Sequence, residues 1–425
     1  MARIVFATVG SLGDLHPYLA VARELLARGH RPAIATHEYY RERVTGAGLG
    51  FHPVRPDMED FGDPTQVMRR AMDLRTGSQW VLEKLVLERL DDSCEDLLAA
   101  FEDADLAVGH VLTLSAVLAA EKLGVPRMHS VLQPMTMFSR FDPPVMPQLP
   151  FPRTAQRWNP AVWGALYSIM RFASARSFEP VHALRRRLGL PPSTLHPLLE
   201  MFTATGNLAM FSRLLSPPQP DWAPHTTVTG FCVWDRDEKG GGMDPALAAF
   251  LEAGAPPVVF TLGSSAVFDA GAFYDVAAAA ARRLGVRAVL LTGPDGINQR
   301  AGLADGRNVI AVPYAPHSEL FPRAAANVHA GGVGTTGQAL ASGRPMLVMP
   351  YSHDQPDNAM RCERLGVARV VPRGRWAEAR VAAELGALLA DGAAAARARS
   401  VEAEVRAEGG AAAAADAIEQ ALARA

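Results

Sequence analysis

Residues 327–359, NVHAGGVGTTGQALASGRPMLVMPYSHDQPDNA, gather the chain's chemistry into one stretch. His329 stands at a turn. The glycines that follow, Gly331, Gly332 and Gly334, let a ligand come close to the backbone. Thr335 and Thr336 come next, then a helix-like run, Gln338 to Ser342, with Gly343 placed to supply a left-handed C-cap. The first N–H groups of such a helix have no partner within it and carry the positive end of its dipole, so the natural guest is a phosphate. Asp354 and Gln355 follow the next apolar run, Met346 to Met349, and can hydrogen-bond hydroxyl groups nearby. A glycine turn alone is a weak signal. The conjunction of a cationisable His, a Thr pair and an acid–amide pair fits a diphosphate joined to a polyhydroxylated group, which is a nucleotide-sugar.

The elements that must position these groups read as alternating strands and helices. Ala326–Val328 and Met346–Met349 are strands, and in a doubly wound sheet their carboxyl ends meet the ligand. The chain opens the same way. Ile4–Val9 is a continuous apolar strand, Gly10 to Asp14 a turn, and Pro17 suits the first turn of a helix with an apolar stripe at Leu19, Ala22, Leu25 and Leu26. The spacing G-x-G-x-x-G is absent there, so this is not a dinucleotide fingerprint. Asp14 suits a helix N-cap ahead of Pro17. His110 closes the strand Asp105–Gly109, Leu112–Gly124 reads as a helix, and Val125–Val131 as a strand. Between Gln133 and Phe178, prolines at 143, 144, 147, 150 and 152 mix with Met135, Met137, Phe138, Phe141, Phe151, Trp158, Trp163 and Tyr167. That composition suits a greasy, adaptable pocket, although each residue taken singly also suits plain core packing. Arg185–Arg187 reads as a solvated helix face, and Asp237–Gly242 as a flexible linker. Beyond it, Pro257–Thr261, Val286–Thr292 and Val309–Val312 are strands; Ser264 follows the first of them and Tyr314-Ala315-Pro316-His317 the last. The Ala-rich segment from Glu378 suits two helices, broken at Gly392 and at Gly409-Gly410.

The 327–359 stretch resembles the donor signature of family 1 glycosyltransferases, H-x-G-G-x-G-T-T…A-L-x-x-G-x-P…P-x-x-x-D-Q-x-x-N-A. The resemblance covers essentially the whole chain. It implies a GT-B fold, in which two Rossmann-like domains face each other across a cleft and a C-terminal helix returns to the first. It also implies an inverting, metal-independent enzyme that needs no cofactor beyond a UDP- or dTDP-linked sugar. Relatives begin with G-H-x-x-P or G-D-x-x-P, so Gly13-Asp14-Leu15-His16-Pro17 sets Asp14 at the position of the catalytic base. An ordinary aspartate is a weak base unless burial or a neighbour makes it stronger. Many relatives carry, at the place of His110, an Asp that orients a catalytic His. The two residue types are exchanged here, and a shared Asp14–His110 dyad is the expectation. His16 is a further catalytic candidate, beside the simpler reading of a side chain facing solvent. The donor set carried over is Gly13, Ser264, Tyr314, Ala315, His317, His329, Gly331, Gly332, Gly334, Thr335, Thr336, Gln338, Asp354 and Gln355. Tyr314 stands where relatives stack a Trp on the base, and Gln338 where most carry a ribose-binding Glu. Met135, Phe138, Phe141 and Trp163 are the acceptor candidates. H-D-Q-x-D-N and A-x-Q-A-L look most like bacterial enzymes that transfer rhamnose or another deoxysugar to lipids or natural products. The same fold also serves nucleotide-sugar epimerases and non-catalytic accessory proteins.

Length and composition agree with a globular two-domain chain. There are 425 residues, 49% of them hydrophobic and 20% charged. A net charge of −2 gives no electrostatic case for nucleic acid or an anionic membrane as the main partner. The partners expected are a nucleotide-sugar and a hydrophobic small molecule, with the chain a monomer or homodimer. Cys94, Cys232 and Cys362 are too few and too scattered for a disulfide framework or metal site. The longest apolar run, Leu106–Ala120, is too short to span a bilayer and contains His110. A cytoplasmic protein without an integral membrane segment is the expectation. The domains are placed at 1–235 for the acceptor and 236–400 for the donor, with 401–425 packing back on the first.

Overall fold

The computed structural model describes residues 1–146, 153–203, 205–235 and 242–424. The expected linker, but for Gly242, lies outside these residues, as do Pro147, Pro150, Phe151 and Pro152. Seven parallel strands make the first sheet: β1 (Arg3–Ala7), β2 (Arg31–Thr36), β3 (Gly50–Pro53), β4 (Leu106–His110), β5 (Arg127–Val131), β6 (Asn207–Ala209) and β7 (Thr226–Val228), in the order β3-β2-β1-β4-β5-β6-β7. Six make the second: β8 (Val258–Thr261), β9 (Ala288–Leu291), β10 (Val309–Val312), β11 (Ala326–His329), β12 (Met346–Val348) and β13 (Ala368–Val370), in the order β10-β9-β8-β11-β12-β13. Strand order reverses direction between β1 and β4 in one sheet and between β8 and β11 in the other. Ligands of doubly wound folds bind outside the carboxyl ends at such points.

The strands are apolar on both faces because helices cover both. Val5 and Ala7 pack with Leu97, Ala100 and Leu118 on one side, while Ile4 and Phe6 pack with Tyr18, Leu19 and Leu25 on the other. The second side also holds Ala414, Ala415, Ile418 and Ala421 of the last helix, Ala411–Leu422, so the chain's end docks on the first sheet. The preceding helix, Gly392–Arg406, sends Ala398, Val401 and Val405 into the second domain's core. Asp391 caps that helix, so the segment after Glu378 forms three helices, and Gly392 opens the middle one.

Two local expectations are corrected. The first helix starts at Leu12 with Ser11 as its N-cap, which leaves Pro17 inside it rather than in the first turn. Ser11 and Asp14 form a capping box, and that reciprocal pair outweighs the preference of Pro17 for a helix start. Arg185 is 3% exposed and pairs with Glu121 and Glu200, so the arginine run is not a uniformly solvated face.

Candidate active site

β1 and β4 run side by side, with Ala7 opposite Gly109, and their ends deliver Asp14 and His110 to one place. Asp14 Oδ1 lies 3.8 Å from His110 Nε2. Asp14 Oδ2 accepts from Ser11 N (2.8 Å) and Ser11 Oγ (3.0 Å), which fixes the carboxylate and leaves Oδ1 to the cleft. His110 is fully buried, and neither ring nitrogen has a hydrogen-bond partner. Burial lowers its pKa and Asp14 opposes that shift, so the ring is neutral at pH 7. A buried imidazole without partners is costly unless something arrives to bond it.

His16 does not face solvent. It is half-buried, and its pKa falls to about 4 by burial and the charge of Arg43, with Asp235 working the other way. The charge of His317, in the second domain, lowers that pKa further.

On the facing side, β8 and β11 pair Thr261 with His329. Ser264 follows β8, and its Oγ lies 4.0 Å from where a Cβ on Gly13 would stand, so the two halves meet at this point. After β11 the glycine turn leads into the helix Val333–Leu340, whose N-cap is Gly332 and lacks a side-chain cap. Gly331 holds φ +89°, and a Cβ there would come 2.8 Å from Val348 Cγ1. Gly332 and Gly334 have nothing within 4 Å of a Cβ, so their space opens to the cleft. Thr335 is half-buried beside Gly263. Thr336 Oγ1 and Gln338 Oε1 are buried without partners.

His329 departs from the expectation of a cationic phosphate ligand. It is fully buried, its Nδ1 accepts from Gly331 N (3.1 Å), and its Nε2 faces Met346 Sδ (3.4 Å). Burial holds its pKa at about 3, so it carries no charge at pH 7. The ring braces the glycine turn, and the positive end left for an anion is the helix N-terminus. Gln355 is likewise engaged, its Oε1 accepting from Tyr351 N (2.8 Å) and Ser352 N (3.3 Å). Asp354 accepts from Asn358 Nδ2 (2.6 Å), and that amide also donates to Gly331 O (2.9 Å). Asn358 thus ties the glycine turn to the loop that follows β12. Burial raises the pKa of Asp354 to about 7, and the charge of Asp14 adds to the shift.

Tyr314 is 47% exposed, with its hydroxyl donating to Asp235 Oδ1 (3.0 Å). Asp235 also accepts from Ser318 N (2.6 Å), at the start of the turn that carries His317. Ala315 is buried, and His317 stacks on Phe321 with ring centroids 4.3 Å apart. Among the acceptor candidates, Met135 and Phe138 are half-buried, and Phe138 meets Tyr167 edge-on. Phe141 is 41% exposed. Trp163 is corrected: at 2% exposure, with Nε1 donating to Ala155 O, it is packing beneath the segment and offers no face to a ligand.

Sequence reasoning missed Ser11, Asp235, His353 and Asn358. His353 sits at φ +55° between the two halves, its Nδ1 2.9 Å from Ser78 Oγ of the first domain. His353 and Asn358 lie inside the H-D-Q-x-D-N run and were legible there. Nothing local marks Asp235.

Residues 4–135 match the glycosyltransferase family 28 N-terminal domain, and residues 296–420 the erythromycin biosynthesis protein CIII-like C-terminal domain. The chain is 32% identical over 410 residues to O-mycaminosyltylonolide 6-deoxyallosyltransferase of Streptomyces fradiae, covering 93% of this chain and 92% of that one. It is 30% identical to a sterol 3-beta-glucosyltransferase of Arabidopsis thaliana, across 83% of this chain and 57% of that longer one. Among solved structures it resembles the kitacinnamycin glycosyltransferase, with TM-score 0.74, 25% identity and 99% of each chain covered. The spinosyn rhamnosyltransferase complexed with thymidine diphosphate shares the fold at TM-score 0.67 and 21% identity, covering 99% of this chain and 100% of that one. With two parallel sheets meeting at their switch points, the class is a GT-B glycosyltransferase. The chain belongs to family 1 of these enzymes, in the bacterial natural-product branch.

No helix among the described residues is long and apolar enough to cross a membrane.

Proposed function

We propose that this glycosyltransferase moves a sugar from a dTDP- or UDP-linked donor to a hydroxyl of a hydrophobic small molecule, with inversion and without a metal. The observation that carries the reading is the open Oδ1 of Asp14, 3.8 Å from a buried and unpartnered His110, on the side of the cleft that meets Ser264 and the glycine turn. Asp14 removes the acceptor's proton as its oxygen attacks the anomeric carbon. The bond from that carbon to the diphosphate breaks on the opposite side, which inverts the centre. His110 is a positioning residue that gives the carboxylate a second polar neighbour in a dry site. Charge growing on the leaving diphosphate falls on the N–H groups of residues 333–335 and the hydroxyls of Ser264, Thr335 and Thr336. Tyr314 offers its exposed ring to the base, and Asp354 with Gln355 addresses the sugar. Thymidine diphosphate in solved structures of this fold supports dTDP over UDP.

Asp14→Asn tests the base without unmaking the helix start, because the amide oxygen can still accept from Ser11. Acceptor-dependent release of dTDP should fall by at least about a hundredfold, while thermal stabilisation by dTDP persists. Turnover within tenfold of the parent would sink the base assignment. A protein stabilised by neither dTDP nor UDP would sink the donor assignment.

A further inference from the structure

The helix Pro160–Ser174 has two unlike faces. Trp163 and Tyr167 turn inward and pack with Ala155, Met146, Leu166 and Met170. The opposite stripe carries Val162 (49% exposed), Ile169 (64%) and Phe172 (87%), with Trp158 (40%) just before the helix. Positions 162, 169 and 172 share one side at 3.6 residues per turn. Exposed apolar side chains scattered singly need no explanation, but a stripe of them marks a surface that something covers.

Charge says what covers it. Residues 143–178 contain Arg153, Arg157, Arg171 and Arg176 and no Asp or Glu, in a chain whose net charge is −2. Among the described residues Arg157, Arg171 and Arg176 enter no ion pair, and Arg171 donates to Ser168 Oγ on its own helix. The run directly after it behaves otherwise, since Arg185, Arg186 and Arg187 are each paired with a carboxylate. A second copy fits poorly: a two-fold contact sets the same patch against itself, arginine facing arginine, with no acid in the segment to answer. An apolar stripe on a segment whose arginines at 157, 171 and 176 enter no ion pair among the described residues matches the boundary of an anionic bilayer, where the apolar side chains enter the acyl region and the cations stay among the headgroups.

We propose that this helix docks the enzyme on anionic phospholipid membranes. The docking face adjoins the acceptor segment, because Tyr167 bonds to Ser139 O (3.3 Å) and packs on Phe138. An enzyme held this way keeps its acceptor loops at the layer into which an apolar acceptor partitions. The docking itself does not depend on the identity of donor or acceptor.

Co-sedimentation of the full chain with vesicles tests this. The protein should sediment with phosphatidylcholine vesicles containing phosphatidylglycerol, and not with phosphatidylcholine alone, and high salt should release it. The double variant Ile169→Ser/Phe172→Ser should lower vesicle partitioning by roughly tenfold or more. Its melting temperature and stabilisation by dTDP should match the parent, since both side chains stand in solvent. Arg157→Gln/Arg171→Gln/Arg176→Gln should lose the preference for phosphatidylglycerol. Failure of the parent to bind those vesicles overturns the proposal, as does a serine variant that binds as well as the parent. So does light scattering that finds a dimer which Phe172→Ser splits, because the stripe would then face a second copy.

Discussion

The two sides of the cleft are held in different ways. On the donor side several polar groups are tied within their own loops: His329 to Gly331, Gln355 to Tyr351 and Ser352, and Asn358 to both Gly331 and Asp354. Those bonds span at most 27 residues of sequence, so the site is built before any ligand arrives. The acceptor side is held from afar. Asp142 bonds to Ser216, Arg361 and Arg364, and Val145 N donates to Asp357 Oδ1 (2.8 Å), on the helix that begins with Gln355. The acceptor segment therefore takes its shape from the donor domain, while the donor loops make their own. A preorganised donor site beside a borrowed acceptor wall suits an enzyme that keeps one cosubstrate and varies the other.

Breaking the link between the two sides should have the largest effect on the fold. Arg361 is buried between Asp142 and Asp357 and also donates to Leu215 O (3.1 Å). Arg361→Met leaves buried Asp357 without its cation and Asp142 with Arg364 alone, at a cost of about 3–5 kcal/mol. The melting temperature should drop by roughly 5 °C, and at a permissive temperature the acceptor KM should rise more than the donor KM. A donor KM that rises alone would assign this clasp to the donor site and collapse the distinction. A smaller effect, confined to the donor side, is expected from the glycines. Gly331→Ala forces a Cβ against Val348 and Gln355 O at φ +89°, costing about 1–3 kcal/mol. Gly332→Ala has open space and an ordinary φ of −57°, so stability should hold while dTDP binding weakens. Calorimetry on both variants separates a structural glycine from one that makes room for phosphate. Equal dTDP affinity in Gly332→Ala and the parent would deny that use of the space.

The same asymmetry decides what the sequence reveals. Strand, glycine turn, helix and polar loop around residues 327–359 were legible because glycine, threonine and capping preferences act over a few residues. The chemistry of His329 was misread for a reason that no local pattern carries. Whether an imidazole ends a strand in solvent or beneath a turn depends on Met346 of the next strand, and that burial removes its charge. Trp163 failed likewise, since an aromatic-rich segment looks the same whether its rings line a pocket or pack under it. Pro17 suggested a helix start, and the Ser11–Asp14 box, whose N-cap stands six residues earlier, prevailed. Asp235 was invisible. Its partners, Tyr314 and Ser318, lie about eighty residues away, and only the folded chain joins them.

The finest test asks whether the two sides sense each other without touching. Asp354 has its pKa raised to about 7, first by burial and then in part by the charge of Asp14 across the cleft. An acid whose folded pKa exceeds its unfolded value, about 3.9 for aspartate, holds a proton that the unfolded chain releases. Its contribution to stability is therefore complete below pH of about 4 and is lost as pH rises through about 7. Asp354→Asn removes this dependence, so the variant should melt above the parent at pH 8, and the gap should close toward pH 4. A constant gap across that range would mean that Asp354 stays ionised and that its burial is matched by other contacts. The second-site experiment carries the comparison further. In an Asp14→Asn background the carboxylate across the cleft is gone, so the pH at which the Asp354 contribution disappears should move downward. An unmoved midpoint would separate the two carboxylates electrostatically. A downward one would make the protonation of the donor loop depend on the charge of the base, so that the removal of the acceptor's proton by Asp14 would be felt at once where the sugar is held.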